Sequence, residues 1–220
     1  MNGFNYEENL VKTFSSFLEK KQDIIIKEMP IRWGNIDIVT VKNNTIPFNT
    51  EQCKILSKPS AAKIFLKIKN QRPISKNAIM EIAGISNSTA TSMLRELIKT
   101  NLIKKVDNFY YRNIAFEFPK VIITGFEAKL HDYNKAFFQA SINKDYVDYS
   151  YIVFPMVEAI KIHNKNYQFL KDNGIGIIGV THKKYSVLLQ ASSKNEIKKY
   201  VRLINLVQSY LLSEKALTNN

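Results

Sequence analysis

Cysteine is almost missing from this sequence: Cys53 is the only one in 220 residues, and there are three histidines. A single cysteine excludes an intrachain disulfide framework, and His131, His163 and His182 do not have the spacing of zinc ligands. The sequence also lacks an N-terminal signal pattern and an apolar run long enough to cross a bilayer. These absences lead us to expect a protein of the reducing cytoplasm that does not associate with membranes.

Acidic residues are scarce relative to basic ones. The chain has 32 Lys and Arg against 19 Asp and Glu, a net charge of +13, and 45% hydrophobic residues, enough for one large core or two small ones. The segment from Lys54 to Ile114 has twelve basic and three acidic residues, so it supplies +9 of that charge. Such a segment favours a polyanionic partner, most often nucleic acid, although a lysine-rich composition can also serve solubility alone.

The middle of the chain, residues 46–118, has the pattern of a linker followed by three helices and a hairpin. Ser60, Ser75 and Ser86 are placed to cap the helices, and Gly84 ends the second one. In this order of elements the segment resembles a winged helix-turn-helix domain. The predicted elements are a linker at 46–57, helices at 60–70, 75–84 and from 86 onward, and strands at 102–106 and 109–112.

The resemblance to a winged helix implies contacts with double-stranded DNA. The third helix would enter the major groove, and its outward residues would read base edges, while the hairpin would contact the backbone. Winged helices also serve as protein-contact modules, and that alternative stays open. The residues expected to contact DNA are Asn87, Ser88, Thr91, Ser92 and Arg95 on the helix and Lys104, Lys105 and Arg112 on the hairpin.

The segments on either side have the pattern of an α/β domain. Removing 46–118 leaves helix, three strands, helix and strand in that order, followed by further elements to the end of the chain. We predict helices at 5–20, 133–145, 156–172 and 194–212, and strands at 23–31, 35–42, 121–130, 149–154, 175–180 and 185–190.

Three charged residues stand in otherwise apolar strands. In Gly125-Phe126-Glu127-Ala128-Lys129-Leu130, strand alternation places Glu127 and Lys129 on one face and the apolar residues on the other. Asp37 lies within a second apolar strand, where a buried charge is costly unless a cation balances it. An ordinary ion pair between Glu127 and Lys129, and a surface position for Asp37 at a strand end, are the alternatives.

This pattern resembles the PD-(D/E)xK nuclease superfamily over residues 1–45 and 119–155. The family's two acids match Asp37 and Glu127, its lysine matches Lys129, and the helical glutamate of many members matches Glu7. The resemblance implies an α/β restriction-endonuclease-like core, a mixed central sheet flanked by helices in αβββαβ order. The core would be formed by 1–45 and 119–220, with 46–118 as an inserted winged helix-turn-helix domain.

The same resemblance implies a metal site and catalytic roles. Asp37, Glu127 and Glu7 would bind Mg²⁺, with Mn²⁺ as a substitute, and Lys129 would orient the attacking water. Lys135 and Gln139 match a helix motif found after Glu-x-Lys in several branches, which implies a catalytic role for Gln139 and a DNA contact for Lys135. An acid at the first turn of a helix is also favourable in itself, so Glu7 is open to that interpretation. Glu28 is a second-choice ligand.

Together these features predict a magnesium-dependent DNA endonuclease of restriction, mobile-element or phage-defence biology. Cutting both strands calls for two active sites, so we expect a homodimer joined through the last helix. Two alternatives remain: a non-catalytic DNA-binding regulator on a nuclease-like scaffold, and a structure-selective nuclease of recombination or repair.

Overall fold

A computed structural model of the chain describes residues 4–20, 24–31, 34–42, 46–193 and 197–218, with side chains described up to 213. Within these ranges no helix is both long and apolar enough to cross a lipid bilayer. The strands are β1 (Ile24–Ile31), β2 (Gly34–Lys42), β3 (Ile74–Ser75), β4 (Ile103–Val106), β5 (Phe109–Arg112), β6 (Ile122–Ala128), β7 (Tyr149–Pro155), β8 (Gly176–Val180) and β9 (Tyr185–Leu189). The helices are α1 (Glu7–Glu19), α2 (Thr50–Leu56), α3 (Pro59–Lys67), α4 (Lys76–Ala83), α5 (Asn87–Lys99), α6 (Tyr133–Asn143), α7 (Met156–Asp172) and α8 (Lys199–Thr218).

The chain divides into two compact units. Unit 1 consists of residues 1–43 and 121–197, and unit 2 of residues 44–120 and 198–220. Unit 1 contains a six-stranded sheet in the order β1-β2-β6-β7-β8-β9. The pairs β6–β7 and β7–β8 are parallel and the other three are antiparallel. The predicted mixed central sheet flanked by helices is therefore confirmed.

Alternation along the strands of unit 1 supplies an apolar layer on each face of the sheet. On β7, Tyr151 and Val153 join the cluster that includes α1, while Ile152 and Phe154 join the cluster that includes α6 and α7. Helix α1 contributes Leu10, Phe14 and Leu18, which lie one turn apart along one side of the helix. One helix therefore covers one face, and α6 and α7 cover the other.

Close packing explains two glycines of β8, Gly176 at its start and Gly179 within it. A Cβ atom built on Gly176 would lie 2.2 Å from the Tyr151 ring, and one on Gly179 would lie 2.6 Å from the Met156 sulfur. Side chains at these positions would displace buried neighbours. The two glycines therefore serve close packing in the sheet.

Unit 2 contains α2 to α5, α8 and a three-stranded antiparallel sheet in the order β3-β5-β4. The predicted caps of two helices are confirmed. The Ser75 hydroxyl accepts from the Ala78 N–H at the start of α4, and Gly84 ends that helix with φ of 62°. The Ser86 hydroxyl accepts from the Thr89 N–H at the start of α5.

The predictions for residues 46–70 were wrong in two respects. The expected linker contains α2, which begins with a capping box between Asn49 and Gln52. Ser60 is not the cap of α3, because the helix begins one residue earlier at Pro59, with Lys58 in the N-cap position. Proline is favoured at the first helical position, since it has no N–H to leave unpaired.

The last helix belongs to unit 2, although we expected it with the nuclease-like core and at a dimer surface. Leu203 and Val207 of α8 are fully buried in the core of unit 2, in one cluster with Leu56 and Phe65. These apolar residues of the helix that we expected at a dimer surface are thus used within the unit. The helix begins at Lys199, and residue 194, where we expected it to begin, lies outside the described residues.

Arg112 is buried, so the expected DNA contact is wrong for this residue. Its side chain is 7% exposed, and its guanidinium donates to the carbonyl oxygens of Phe65 (3.0 Å), Leu66 (3.5 Å) and Phe116 (3.3 Å). The guanidinium carbon also lies 4.5 Å from the centre of the Phe65 ring. Burial lowers the pKa of Arg112 below its ordinary value. Arg112 therefore joins β5 to α3 and stabilises the fold.

Arg112→Ala should lower the free energy of unfolding by about 3 kcal/mol, because three carbonyls lose a charged donor and Phe65 loses a packing partner. Urea unfolding of the full chain measures this change. Lys104→Ala is the matched control, since Lys104 is exposed on the neighbouring strand, and it should change the value by less than about 0.5 kcal/mol. Equal effects of the two substitutions would contradict a structural role for Arg112.

Candidate active site

Three carboxylates surround the side-chain ammonium of Lys129 in unit 1. The distances from Lys129 Nζ are 3.3 Å to Glu127 Oε1, 3.4 Å to Glu7 Oε2 and 3.6 Å to Asp37 Oδ2. The β2–β6 register pairs Ile38 with Phe126, so the next residues, Asp37 and Glu127, lie beside each other on adjacent strands. The structure therefore brings together the two acids, the lysine and the helical glutamate named from the sequence.

Backbone hydrogen bonds hold this cluster at the ends of the central strands. Asp37 Oδ2 accepts from the Ala128 N–H at 2.9 Å. Lys129 comes directly after β6, where its N–H donates to the Val153 carbonyl of β7 and its Nζ donates to the Ala128 carbonyl. Three neighbouring strands, β2, β6 and β7, therefore hold the cluster in place.

Glu127 is the most enclosed member of the cluster, with 0% exposure. Its Oε2 accepts from the Asn143 side-chain amide at 3.3 Å. Its Oε1 lies near Lys129 Nζ but has no hydrogen-bond donor in suitable geometry among the described residues. Burial, and then the neighbouring charge of Asp37, raise the pKa of Glu127 to about 7, against the opposing effects of Lys129 and Asn143.

The charge of Lys129 is maintained by its neighbours. Burial by itself would lower the pKa of this ammonium, but Asp37, Glu127 and Glu7 together raise the pKa above its ordinary value. Lys129 therefore stays charged at neutral pH, although only 7% of its side chain is exposed.

Glu7 reaches the cluster from the solvent side. Half of its side chain is exposed. It occupies the first turn of α1, where the helix dipole favours an acid, and its Oε2 still lies 3.4 Å from Lys129 Nζ. Both interpretations of Glu7 given by the sequence therefore describe part of its environment.

Helix α6 supplies a residue that the sequence did not single out. Asn143, 2% exposed, donates to Glu127, and it follows Gln139 by four residues on the same side of the helix. Gln139 Oε1 is buried without a hydrogen-bond partner among the described residues, and Lys135 is exposed one turn earlier. The spacing from Gln139 is the one signal in the sequence that could have identified Asn143.

The residues expected to contact DNA in unit 2 are exposed, except for Arg112. The exposed set consists of Asn87, Ser88, Thr91, Ser92 and Arg95 on α5 and Lys104 and Lys105 on β4. Lys76 Nζ donates to the Thr91 hydroxyl at 2.6 Å, which adds a cation to the same surface. The second-choice ligand Glu28 is also exposed; it accepts from the Asn35 side chain and forms no described ion pair with Lys129.

The donor set suits Mg²⁺ in part. Magnesium is bound by one or two carboxylates with waters and phosphate oxygens, and Asp37 and the under-bonded Oε1 of Glu127 match that requirement. Among the described residues, however, no three His, Cys, Asp or Glu side chains form a group that could hold a metal ion by themselves. In this arrangement the ammonium of Lys129 provides the positive charge that the carboxylates share.

Comparisons of this chain with protein families, with curated proteins and with solved structures found no match. The interpretation of the cluster therefore depends on its geometry and on the sequence pattern.

Glu127 should make stability depend on pH between its ordinary pKa of 4.5 and its raised value of about 7. In this window the folded state binds more protons than the unfolded state, so stability falls as pH rises. Glu127→Gln replaces the carboxyl by an amide that does not titrate, so the variant does not lose stability in this way as pH rises. Compared with the wild type, it should gain about 1–3 kcal/mol in free energy of unfolding between pH 5 and pH 8.

Urea unfolding at several pH values with EDTA present measures this difference. Glu81→Gln, an exposed substitution on α4, should keep a constant offset from the wild type. An offset for Glu127→Gln that is equally constant from pH 5 to pH 8 would show that the carboxyl does not titrate in this range.

Proposed function

We propose that this protein is a magnesium-dependent DNA endonuclease that hydrolyses phosphodiester bonds, with Mn²⁺ able to replace Mg²⁺. The observation that carries the proposal is the convergence of Asp37, Glu127 and Glu7 on Lys129 Nζ at 3.3–3.6 Å. Paired carboxylates and a lysine are the groups that metal-assisted phosphoryl hydrolysis uses. Restriction, mobile-element or phage-defence biology is the setting we favour.

Two features support membership of the PD-(D/E)xK superfamily. The elements α1, β1, β2, β6, α6 and β7 follow one another in the order expected for its core. Asp37 and Glu127 lie on adjacent central strands, and Lys129 follows Glu127 by two residues. A surface ion pair would need neither the burial of Glu127 nor the close approach of a third carboxylate.

The residues of the cluster would have different roles in hydrolysis. Mg²⁺ would supply a Lewis acid and lower the pKa of a bound water. Asp37 and Glu127 would hold the cation, with Glu7 at the solvent side, and Lys129 would orient the attacking water and stabilise charge that develops on the phosphate. Asn143 would fix the orientation of the Glu127 carboxylate through its 3.3 Å hydrogen bond.

Unit 2 would bind the DNA as a winged helix-turn-helix domain. Its α4, α5 and the β4–β5 hairpin have the order of that domain, and the polar face of α5 is exposed. The basic charge of this part of the chain would supply phosphate contacts, whereas Asn87 and Arg95 would contact base edges.

Asp37→Asn and Lys129→Met should each lower the rate of plasmid cleavage with Mg²⁺ at least about 100-fold, because each removes a charge needed in the transition state. Plasmid cleavage followed by gel electrophoresis measures the rate. Asp172→Asn and Lys165→Ala change exposed residues on α7, and they should leave the rate within about twofold of the wild type.

Thermal melting verifies that the variants are folded, which matters most for the buried Lys129. Absence of metal-dependent cleavage by the wild type on any form of DNA would reject the nuclease and favour a DNA-binding regulator. Cleavage that survives both Asp37→Asn and Lys129→Met would place the active site elsewhere.

Arg95→Ala should weaken binding of duplex DNA about tenfold, because it removes a contact in the groove. Arg72→Ala removes the same charge from an exposed site outside α5, and it should act only through the weaker, salt-dependent attraction to phosphate. Fluorescence anisotropy with labelled duplex at two salt concentrations compares the variants. Equal losses would argue against a groove contact by α5.

A further inference from the structure

A cavity of about 690 Å³ lies within unit 1, at the edge of the sheet where the parallel strands β6, β7 and β8 end. Its lining includes His131 after β6, Met156 at the start of α7, and the turn Thr181–Lys184 between β8 and β9. The volume is within the range of binding sites for small molecules and single nucleotides.

Two residues that line this cavity are close in sequence to members of the carboxylate cluster. His131 follows Lys129 by two residues, a separation of at most about 7 Å along extended backbone. Phe4, another lining residue, precedes Glu7 by three residues. A molecule in the cavity would therefore lie close to a phosphate held at the carboxylate cluster.

The wall of the cavity combines apolar and aromatic surface. Phe4 and His182 have ring centres 4.5 Å apart, tilted by 42°, and Val157 and Val180 add aliphatic surface. Flat aromatic groups of this kind are the surfaces on which unpaired bases stack, with little dependence on sequence.

The rim is basic. Lys161, Lys183 and Lys184 line it, and its acidic residue, Glu158, lies 3.4 Å from Lys161. Thr181 holds the turn that carries the other two lysines: its hydroxyl accepts from the Lys184 N–H at 3.1 Å and donates to the Lys184 carbonyl at 3.0 Å. The lysines therefore project from a defined turn beside the aromatic surface, a combination that complements a base and its phosphate.

We propose that this cavity binds one unpaired nucleotide of a single-stranded DNA segment next to the phosphate that is cut. The position of the cut rests on the proposed function, but the binding of the nucleotide does not. A base inside a duplex is stacked and paired, so it must leave the helix before it can enter such a cavity. The protein should therefore prefer DNA with frayed ends, overhangs or gaps.

The test uses the full chain in EDTA and a short single-stranded oligonucleotide that contains 2-aminopurine, whose fluorescence falls when the base stacks. The double variant His182→Ala/Lys184→Ala should bind this oligonucleotide about tenfold more weakly and with less quenching. Its binding to a blunt duplex should stay within about twofold of the wild type. His163→Ala/Lys165→Ala, which changes α7 outside the cavity, should match the wild type on both probes.

Three results would overturn the proposal. They are unchanged oligonucleotide binding by the double variant, equal losses on single-stranded and duplex probes, and displacement of the oligonucleotide by free ATP at a similar concentration of nucleotide. Thermal melting of the double variant excludes unfolding as the cause of a loss. Binding is measured without metal, so a lack of nuclease activity would not affect this test. Cleavage of duplex DNA would not by itself support binding of an unpaired nucleotide in the cavity.

Discussion

The constraint on which the candidate site of unit 1 depends is the burial of one ammonium group among three carboxylates. Taking a charge out of water is costly, and the cost is offset only when opposite charges and hydrogen bonds lie close by. Lys129 meets this condition through Glu127, Asp37, Glu7 and the Ala128 carbonyl. These partners come from a helix and two strands, so the cluster forms only when all three have assembled.

An ionic cluster of this kind is a weak source of stability. Apolar side chains of similar volume often stabilise a fold as well or better, so stability alone does not account for the cluster, whereas the proposed role in hydrolysis would. Burial and the neighbouring charge of Asp37 raise the pKa of Glu127, so the charged form of this carboxyl is costly in the folded state. The apolar layers on either side of the sheet supply the stability that this arrangement needs.

The sequence predicted the elements that local rules determine. The alternation around Glu127 and Lys129, the helical stripe of α1 and the caps at Ser75 and Ser86 all depend on neighbours within a few residues. Asp37 could be added because a lone acid in an apolar strand needs a partner. The family assignment and the DNA contacts stay predictions.

What the sequence did not predict depends on distant partners. Strand β5 exposes Phe109 and buries Arg112, the reverse of a pattern based on polarity. Two of the three carbonyls that accept hydrogen bonds from Arg112, those of Phe65 and Leu66, are more than forty residues away in sequence. Asn143 required the position of α6 against β6. Helix α2 is a different case. The residues of its capping box, Asn49 and Gln52, are visible in the sequence, but the helix is too short to give a clear helical pattern.

The two units are interleaved along the chain, since unit 2 begins after β2 and ends with α8, while unit 1 closes with β9 before α8 begins. During synthesis on the ribosome, the sheet of unit 1 is therefore complete before the helical core of unit 2 receives Leu203 and Val207. Until then, Leu56 and Phe65 lack part of their apolar cover. A nascent chain paused at this stage would expose this apolar surface to chaperones. A fragment of residues 46–118 would expose the same surface permanently, because it lacks α8.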